Sequence, residues 1–277
     1  MKRQHQRTAL LLAVLFLFAV LALRQDLAVR RYTIETDSDG ETVRFAVITD
    51  LHDTLYGKGQ KKLLRALRNE QPDAVFLVGD ILDERREHNA TEQLLAEMAG
   101  EFPCYYVTGN HEFSIETIHD VKELFRSYGV TVLEGDAVRL TVRGRGFLIA
   151  GVDDPIAFTH TDSDTVGTGW RAQFAVCQNA AQNTDDFSIL LSHRPELTEF
   201  YSNSGFDLVV SGHAHGGQIR FPLLLNGLYA PNQGLFPRYA GGFYALDGTD
   251  LIVSRGLCRN LVPRVFNRPE LIIVEVK

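Results

Sequence analysis

Val43-Arg44-Phe45-Ala46-Val47-Ile48-Thr49-Asp50-Leu51-His52 is the stretch on which the fold turns. A short apolar, β-branched run reads as a buried strand, and it stops at two side chains that bind metals or move protons. The same pattern returns four times. Ala74–Val78 precedes Gly79-Asp80-Ile81-Leu82-Asp83, and Cys104–Thr108 precedes Gly109-Asn110-His111-Glu112. Phe187–Leu191 precedes Ser192-His193-Arg194, and Leu208–Ser211 precedes Gly212-His213-Ala214-His215-Gly216-Gly217. Further strands are expected at Gly146–Gly151, Leu251–Ser254 and Leu271–Val276. Helical patterns lie between them at Gly59–Asn69, Thr91–Gly100, Ile115–Tyr128 and Ala172–Ala181. This alternation predicts an α/β layered fold, with central mixed β-sheets flanked by helices. Val130–Arg145 reads instead as antiparallel strands, turning at Gly135-Asp136 and around Gly144.

In open α/β sheets, ligands bind at the carboxyl ends of strands. A cap or a satisfied core histidine explains any one of these polar residues, but not five strand ends at once. Asp50 and His52 stand two apart, so an extended strand would turn both to one side, and His213 and His215 repeat the spacing. Mixed His, Asp and Asn ligands without thiolate suit Mn²⁺ first, with Fe or catalytic Zn²⁺ as alternatives. Two such ions about 3.5–4 Å apart would form a clamp for displacement at phosphorus. Cys104, Cys177 and Cys258 are far apart in sequence and read as small buried hydrophobes. Glu112 is either a partner that orients His111 or an exposed carboxylate at a helix start. Asp83 is expected to support the metal shell, with a helix cap as the alternative, and Asp53 and His88 to lie on the surface. His5, His119 and His160 have no partner motif and are expected to be solvated.

The ordered set D-x-H, G-D-x-x-D, G-N-H-E, a lone His after a strand, and G-H-x-H resembles the calcineurin-like metallophosphoesterase superfamily over about residues 43–277. The segments Gln218-Ile219-Arg220, Tyr229–Tyr239, Ser254-Arg255-Gly256-Leu257 and Asn267-Arg268-Pro269-Glu270 are similar to its membrane-associated bacterial branch. That branch includes phosphodiesterases and UDP-2,3-diacylglucosamine pyrophosphatases. The resemblance implies the metallophosphoesterase fold and two divalent metal ions. It implies a first metal on Asp50, His52 and His215, a bridging Asp80, and a second metal on Asn110, His193 and His213. It places His111 beside the scissile phosphate and implies hydrolysis by metal-bound hydroxide, without a phosphoenzyme.

The chain has 277 residues, 45% hydrophobic and 23% charged, which excludes a disordered or multi-span membrane protein. Thr8 to Leu23 is an uncharged run between basic residues. It is read as a retained single-pass anchor, with the catalytic domain outside the cytoplasm; a cleaved signal peptide with secretion and a buried core helix are the alternatives. Residues 1–31 thus form an anchor segment and residues 32–277 one domain, with 32–41 a tether or first edge strand. The anchor segment carries a net +5 and the remainder −12. So acidic a domain disfavours nucleic acid as a partner. The expected substrate is a phosphodiester or pyrophosphate, with a lipid-linked one such as UDP-2,3-diacylglucosamine favoured. Phe221–Leu225 and the aromatic segment Tyr229–Tyr239 would form an acyl groove beside the metals, dock the domain onto a bilayer, or simply pack. A phosphodiesterase acting on soluble nucleotides and a non-catalytic membrane metal-binding protein are the alternatives. The sequence gives no reading of oligomeric state.

Overall fold

A computed structural model describes residues 2–37, 40–115, 117–158, 166–259 and 263–277. His160 therefore lies outside the described residues. The chain opens with helix α1 (Lys2–Ala22), then strands β1 (Ala28–Ile34) and β2 (Val43–Ile48) and helix α2 (Lys61–Glu70). Next come β3 (Ala74–Val78), α3 (Asn89–Met98), β4 (Cys104–Val107), α4 (Ile118–Ser127) and β5 (Thr131–Val132). The second half holds β6 (Asp136–Val142), β7 (Arg145–Gly151), α5 (Thr168–Gln182), β8 (Phe187–Leu191) and β9 (Leu208–Ser211). It continues through β10 (Tyr229–Ala230), β11 (Gly234–Leu235), β12 (Gly242–Leu246), β13 (Thr249–Val253) and β14 (Glu270–Val276).

Two six-stranded mixed sheets form the centre, in the orders β1-β14-β2-β3-β4-β5 and β12-β13-β9-β8-β7-β6. Side-chain alternation explains why both faces of each sheet are buried. In β2, Phe45 and Val47 face the second sheet, while Ala46 and Ile48 face the helices. In β3, Phe76 and Val78 point inward, and Val75 and Leu77 outward. Phe45 meets Phe147 of β7 edge to face, with centroids 5.0 Å apart, in the layer between the sheets. Helices α2, α3 and α4 cover the first sheet through residues such as Leu63, Leu67, Leu94 and Phe125. Helix α5 covers the second through Trp170, Phe174 and Cys177.

Three expectations are corrected. Strand β5 pairs parallel with β4 and is not part of an antiparallel run; of the stretch Val130–Arg145, only β6 and the start of β7 form a hairpin. The chain leaves one sheet after Val132 and enters the other at Asp136, so Gly135 marks a crossing between layers. Strand β1 begins at Ala28, inside the segment assigned to the anchor, and Arg30 and Arg31 are edge-strand residues paired with β14. Strand β12 was not foreseen. Its alternately half-buried and exposed side chains give it a weak apolar signal.

Helix α1 contains a window, Gln4–Ala22, long and apolar enough to cross a membrane, with only 6% of it buried. Its 19 residues span about 28 Å, close to the thickness of a hydrocarbon core.

Candidate metal centre and active site

The site lies where β2, β3 and β4 of one sheet and β8 and β9 of the other all end. The extended-strand explanation of the D-x-H and H-x-H spacings does not hold. Asp50, His52, Asp80, His213 and His215 all sit beyond their strands with left-handed backbone, at φ 47°, 46°, 51°, 65° and 47°. Non-glycine residues avoid this region, so the clustering marks a backbone held by its surroundings around the site. Each such residue turns the chain sharply, which lets several side chains converge on one place.

The convergence forms two groups that share Asp80. In one, ligand atoms of Asp50, His52, Asp80 and His215 lie within 4.8 Å of one another; in the other, those of Asp80, His193 and His213 do. Asp80 Oδ2 stands 3.6 Å from His52 Nε2 and 3.2 Å from His193 Nε2, so one carboxylate oxygen faces both groups. Asn110 and His111 line the same cleft, a cavity of about 430 Å³ that also meets His213, His215, Tyr229 and Asn232. The structure thus brings together Asp50, His52, Asp80, Asn110, His111, His193, His213 and His215.

Whether the residues fit metal ions is tested by their unpaired atoms. Among the described residues, Asp50 Oδ2, His52 Nε2, Asp80 Oδ2, Asn110 Oδ1 and His193 Nε2 are buried and make no well-formed hydrogen bond, Asp80 Oδ2 and His193 Nε2 facing each other at 3.2 Å as an ion pair. Burying such atoms unpaired is costly, and a cation among them removes the cost. The opposite ring nitrogens are committed elsewhere, which fixes the imidazoles. His193 Nδ1 pairs with the Val78 carbonyl at 2.9 Å, and His52 Nδ1 lies 3.4 Å from Asp83 Oδ2. His213 Nε2 donates to Asn232 Oδ1 at 2.8 Å. The donor set fits two cations.

The field inside the cluster is strongly negative. Burial alone would depress the imidazole of His193, but Asp80 and Asp50 outweigh it and raise it to about 10. His52 is likewise opposed by burial, yet Asp83 and Asp80 raise it to about 9. His213 is held well below the ordinary value by burial, with the Arg194 charge adding to the effect.

Glycine matters most at two positions. A Cβ on Gly109 would lie 2.2 Å from Asp80 Oδ1, and one on Gly79, at φ +74°, would lie 2.4 Å from His193 Nδ1. Glu112 is fully buried and does not orient His111. Its carboxylate accepts the backbone N–H groups of Asp80, Ile81, Leu82 and Gly109 at 2.7–3.2 Å. It therefore fixes the loop that presents Asp80. The partner of His111 is Glu84, whose Oε2 lies 2.7 Å from Nδ1. Asp53 is buried, contrary to expectation, and accepts from Asp83 N and Thr91 Oγ1 while pairing with His88 Nδ1 at 2.9 Å. His88 is correspondingly half-buried rather than free on the surface.

Several residues were missed. Arg194 binds Asp154 through two nitrogens and also reaches Asn232, so it braces the amide behind His213. Cys258 is no inert hydrophobe: its Sγ lies 3.1 Å from His215 Nδ1 and 3.2 Å from Arg264 Nη2. Burial pushes this thiol up, but the charges of His215 and Arg264 prevail and bring it to about 6. Cys258 could not be found by spacing, because it lies 43 residues beyond His215 in the chain. Glu84 alone had a local signal, adjoining the G-D-x-x-D motif.

Carboxylates, imidazoles and an amide gathered at the ends of two facing sheets, beside an open cleft, define a metal-dependent phosphoric ester hydrolase. The chain belongs to the calcineurin-like phosphoesterase family, whose profile matches residues 43–217, and that family is dinuclear-metal-dependent. It is 29% identical over 262 residues to an uncharacterized metallophosphoesterase of Aquifex aeolicus, covering 91% of this chain and 92% of that one. It is 27% identical over 211 residues to the phosphodiesterase YaeI of Escherichia coli, covering 75% and 71%. A bovine transmembrane protein with metallophosphoesterase domain is 27% identical over 243 residues, covering 83% of this chain and 52% of its own length. Among solved structures, the NAD nucleotidase of Haemophilus influenzae shares the fold at a TM-score of 0.51, with 19% identity over 79% of this chain and 46% of that one.

Proposed function

We propose that the chain is a membrane-anchored phosphodiesterase or pyrophosphatase that cleaves a lipid-linked phosphate substrate with two bound metals. Asp50, His52 and His215 would hold one ion, Asn110, His193 and His213 the other, and Asp80, which belongs to both groups, would serve the two. The observation that carries this reading is the set of five buried ligand atoms without a hydrogen bond among the described residues, gathered behind a cleft whose wall includes Asp80 and Asn110. When bound, the metals supply Lewis acidity at the phosphoryl oxygens and lower the pKa of a coordinated water. His111 sits at the mouth with Nδ1 held by Glu84, leaving Nε2 to hold the proton delivered to the leaving oxygen. Arg194, through Asn232, keeps His213 from turning. Mn²⁺ is the ion proposed, with Fe or Zn²⁺ as the alternatives these mixed ligands also suit.

Two features favour a substrate at the membrane. Helix α1 is long enough to span a bilayer, and a relative of similar sequence is named as a transmembrane protein. Tyr229 on the cleft wall is paired across the β10–β11 hairpin with Leu235, and both side chains are exposed, as is Phe236. This apolar rim suits an acylated leaving group. Lys2, Arg3, Arg7 and the amino terminus before the span favour a catalytic domain outside the cytoplasm, against the opposite pull of Arg24, Arg30 and Arg31 after it.

The test uses the full chain in phospholipid nanodiscs. Mn²⁺-dependent hydrolysis of an aryl phosphodiester, lost in His111→Ala, is expected. UDP-2,3-diacylglucosamine should be turned over faster than its deacylated counterpart. Equal rates on both, or a preference for soluble nucleotides, would replace the lipid-linked reading with the soluble one.

A further inference from the structure

The loop Phe221–Leu225 does not line the metal cleft. It is a tight reversal in which Phe221 and Leu225 exchange backbone hydrogen bonds at 3.0 and 2.8 Å. Its tip carries Leu223, at 106% relative exposure and φ 67°, and Leu224, at 88%. A leucine in left-handed backbone is strained, and among the described residues neither side chain is buried. A glycine or asparagine would form the turn more easily, so the apolar tip has a use outside the fold.

Under the loop lies a separate cavity of about 470 Å³, lined by Arg30, Arg220 and Arg255 with Phe221 and Phe266. Among the described residues, Glu270 is the acid that faces the arginines, its Oε2 lying 3.5 Å from Arg255 Nε and 3.7 Å from Arg30 Nε. Arg220 gives its nitrogens to the Gly216 carbonyl and to Asn226, both uncharged partners. Burial and the nearby Arg255 charge lower Arg220 to about 10, as expected where cations outnumber their counter-charge. The cavity is cationic, with an apolar lip.

What covers it follows from its neighbours. The ring of Phe266 packs against Phe221 at 6.0 Å on one side and against Phe18 of α1 at 5.2 Å on the other. Its backbone N–H bonds the Ala22 carbonyl at 2.7 Å. Phe18 lies one turn, about 6 Å, inside the end of the apolar helix. The loop and its arginines are thus level with the end of the span, where lipid headgroups would lie.

We infer that this cavity seats the phosphate headgroup of an anionic membrane lipid, while Leu223 and Leu224 enter the acyl region. The inference rests on α1 lying in a bilayer. Arg30 and Arg220 supply the charge that selects anionic lipid, and the leucines supply the apolar insertion.

The sole tryptophan, Trp170, is fully buried and out of reach of lipid bromines, so after subtraction of the parent's constant emission any lipid-dependent quenching belongs to the added one. The full chain is reconstituted in vesicles of brominated phosphatidylcholine, with or without brominated phosphatidylglycerol. Leu224→Trp should be quenched in the mixed vesicles, less so in phosphatidylcholine alone, and not in an Arg30→Gln/Arg220→Gln background. Leu15→Trp in α1 should be quenched in both lipids, and Val176→Trp on α5 in neither. If Leu224→Trp escapes quenching while Leu15→Trp is quenched, docking is overturned and the anchor stands. If neither is quenched, both fall. Quenching that ignores lipid charge and survives loss of the arginines overturns the headgroup site.

Discussion

Glu84 Oε2 lies 2.7 Å from Nδ1 of His111, and this contact sets which ring nitrogen of the histidine faces the cleft. Replacing Glu84 with Gln should lower kcat about 10- to 100-fold while leaving the bound metal unchanged. His111→Ala should cost about 10²- to 10⁴-fold in the same assay. Metal content measured beside kcat separates the two effects. A Glu84→Gln protein as fast as the parent would show that the contact does not govern the reaction.

Metal loading should release protons. In the metal-free protein His52 and His193 stay protonated up to about 9 and 10, because the carboxylates around them favour the charged ring. Both present Nε2 to the ion sites, so a cation must displace those protons. Calorimetry near neutral pH in buffers of different ionisation enthalpy should show net proton release, and apparent affinity should climb with pH until both rings are neutral. Stability runs the other way in the metal-free state. The raised values contribute stability that is full below the ordinary imidazole value and lost as pH rises through about 9 to 10. Metal removal should therefore leave the protein most vulnerable at alkaline pH.

Glu112 takes four backbone N–H groups, and Gln can accept from only part of that set while adding donors of its own. Glu112→Gln should destabilise the protein by about 2–4 kcal/mol and weaken metal binding through the Asp80 loop. Urea unfolding with and without Mn²⁺ measures both.

Glu196 is raised to about 7, because burial penalises its charged form more than Arg194 favours it. The folded chain then holds a proton that the unfolded chain gives up near 4.5, so stability falls as pH rises from there through about 7. The loss attributable to this one group is on the order of 3 kcal/mol. Glu196→Gln should flatten that decline and exceed the parent in stability at about pH 8. A parallel pH profile for the two proteins would remove Glu196 from the account.

The sheets were readable because their strands are short apolar runs bounded by polar residues; β3, β8 and β9 match their expected bounds without adjustment. The polar residues after those runs marked the site for the same reason. Left-handed backbone at Asp50 and His213 left no trace in composition, so the convergence was expected by the wrong route. Glu112 and Asp53 are charged, and charge alone favours an exposed reading. Only the folded chain shows Glu112 bonded to four backbone amides, and Asp53 to Asp83, Thr91 and His88. Cys258 and Arg194 act through contacts distant in sequence, which spacing cannot register.

Strand β14 lies between β1 and β2 and is the neighbour of both, parallel to one and antiparallel to the other. During synthesis β1 and β2 emerge early and wait, with edges open, until the last strand of the described residues has left the ribosome. The backbone that leads into Asp50 is therefore completed late, after α1 is already available to a membrane. A nonsense or frameshift lesion that spares every ligand yet removes Glu270–Val276 should leave an unclosed sheet and a chain destined for proteolysis, not an enzyme of reduced activity.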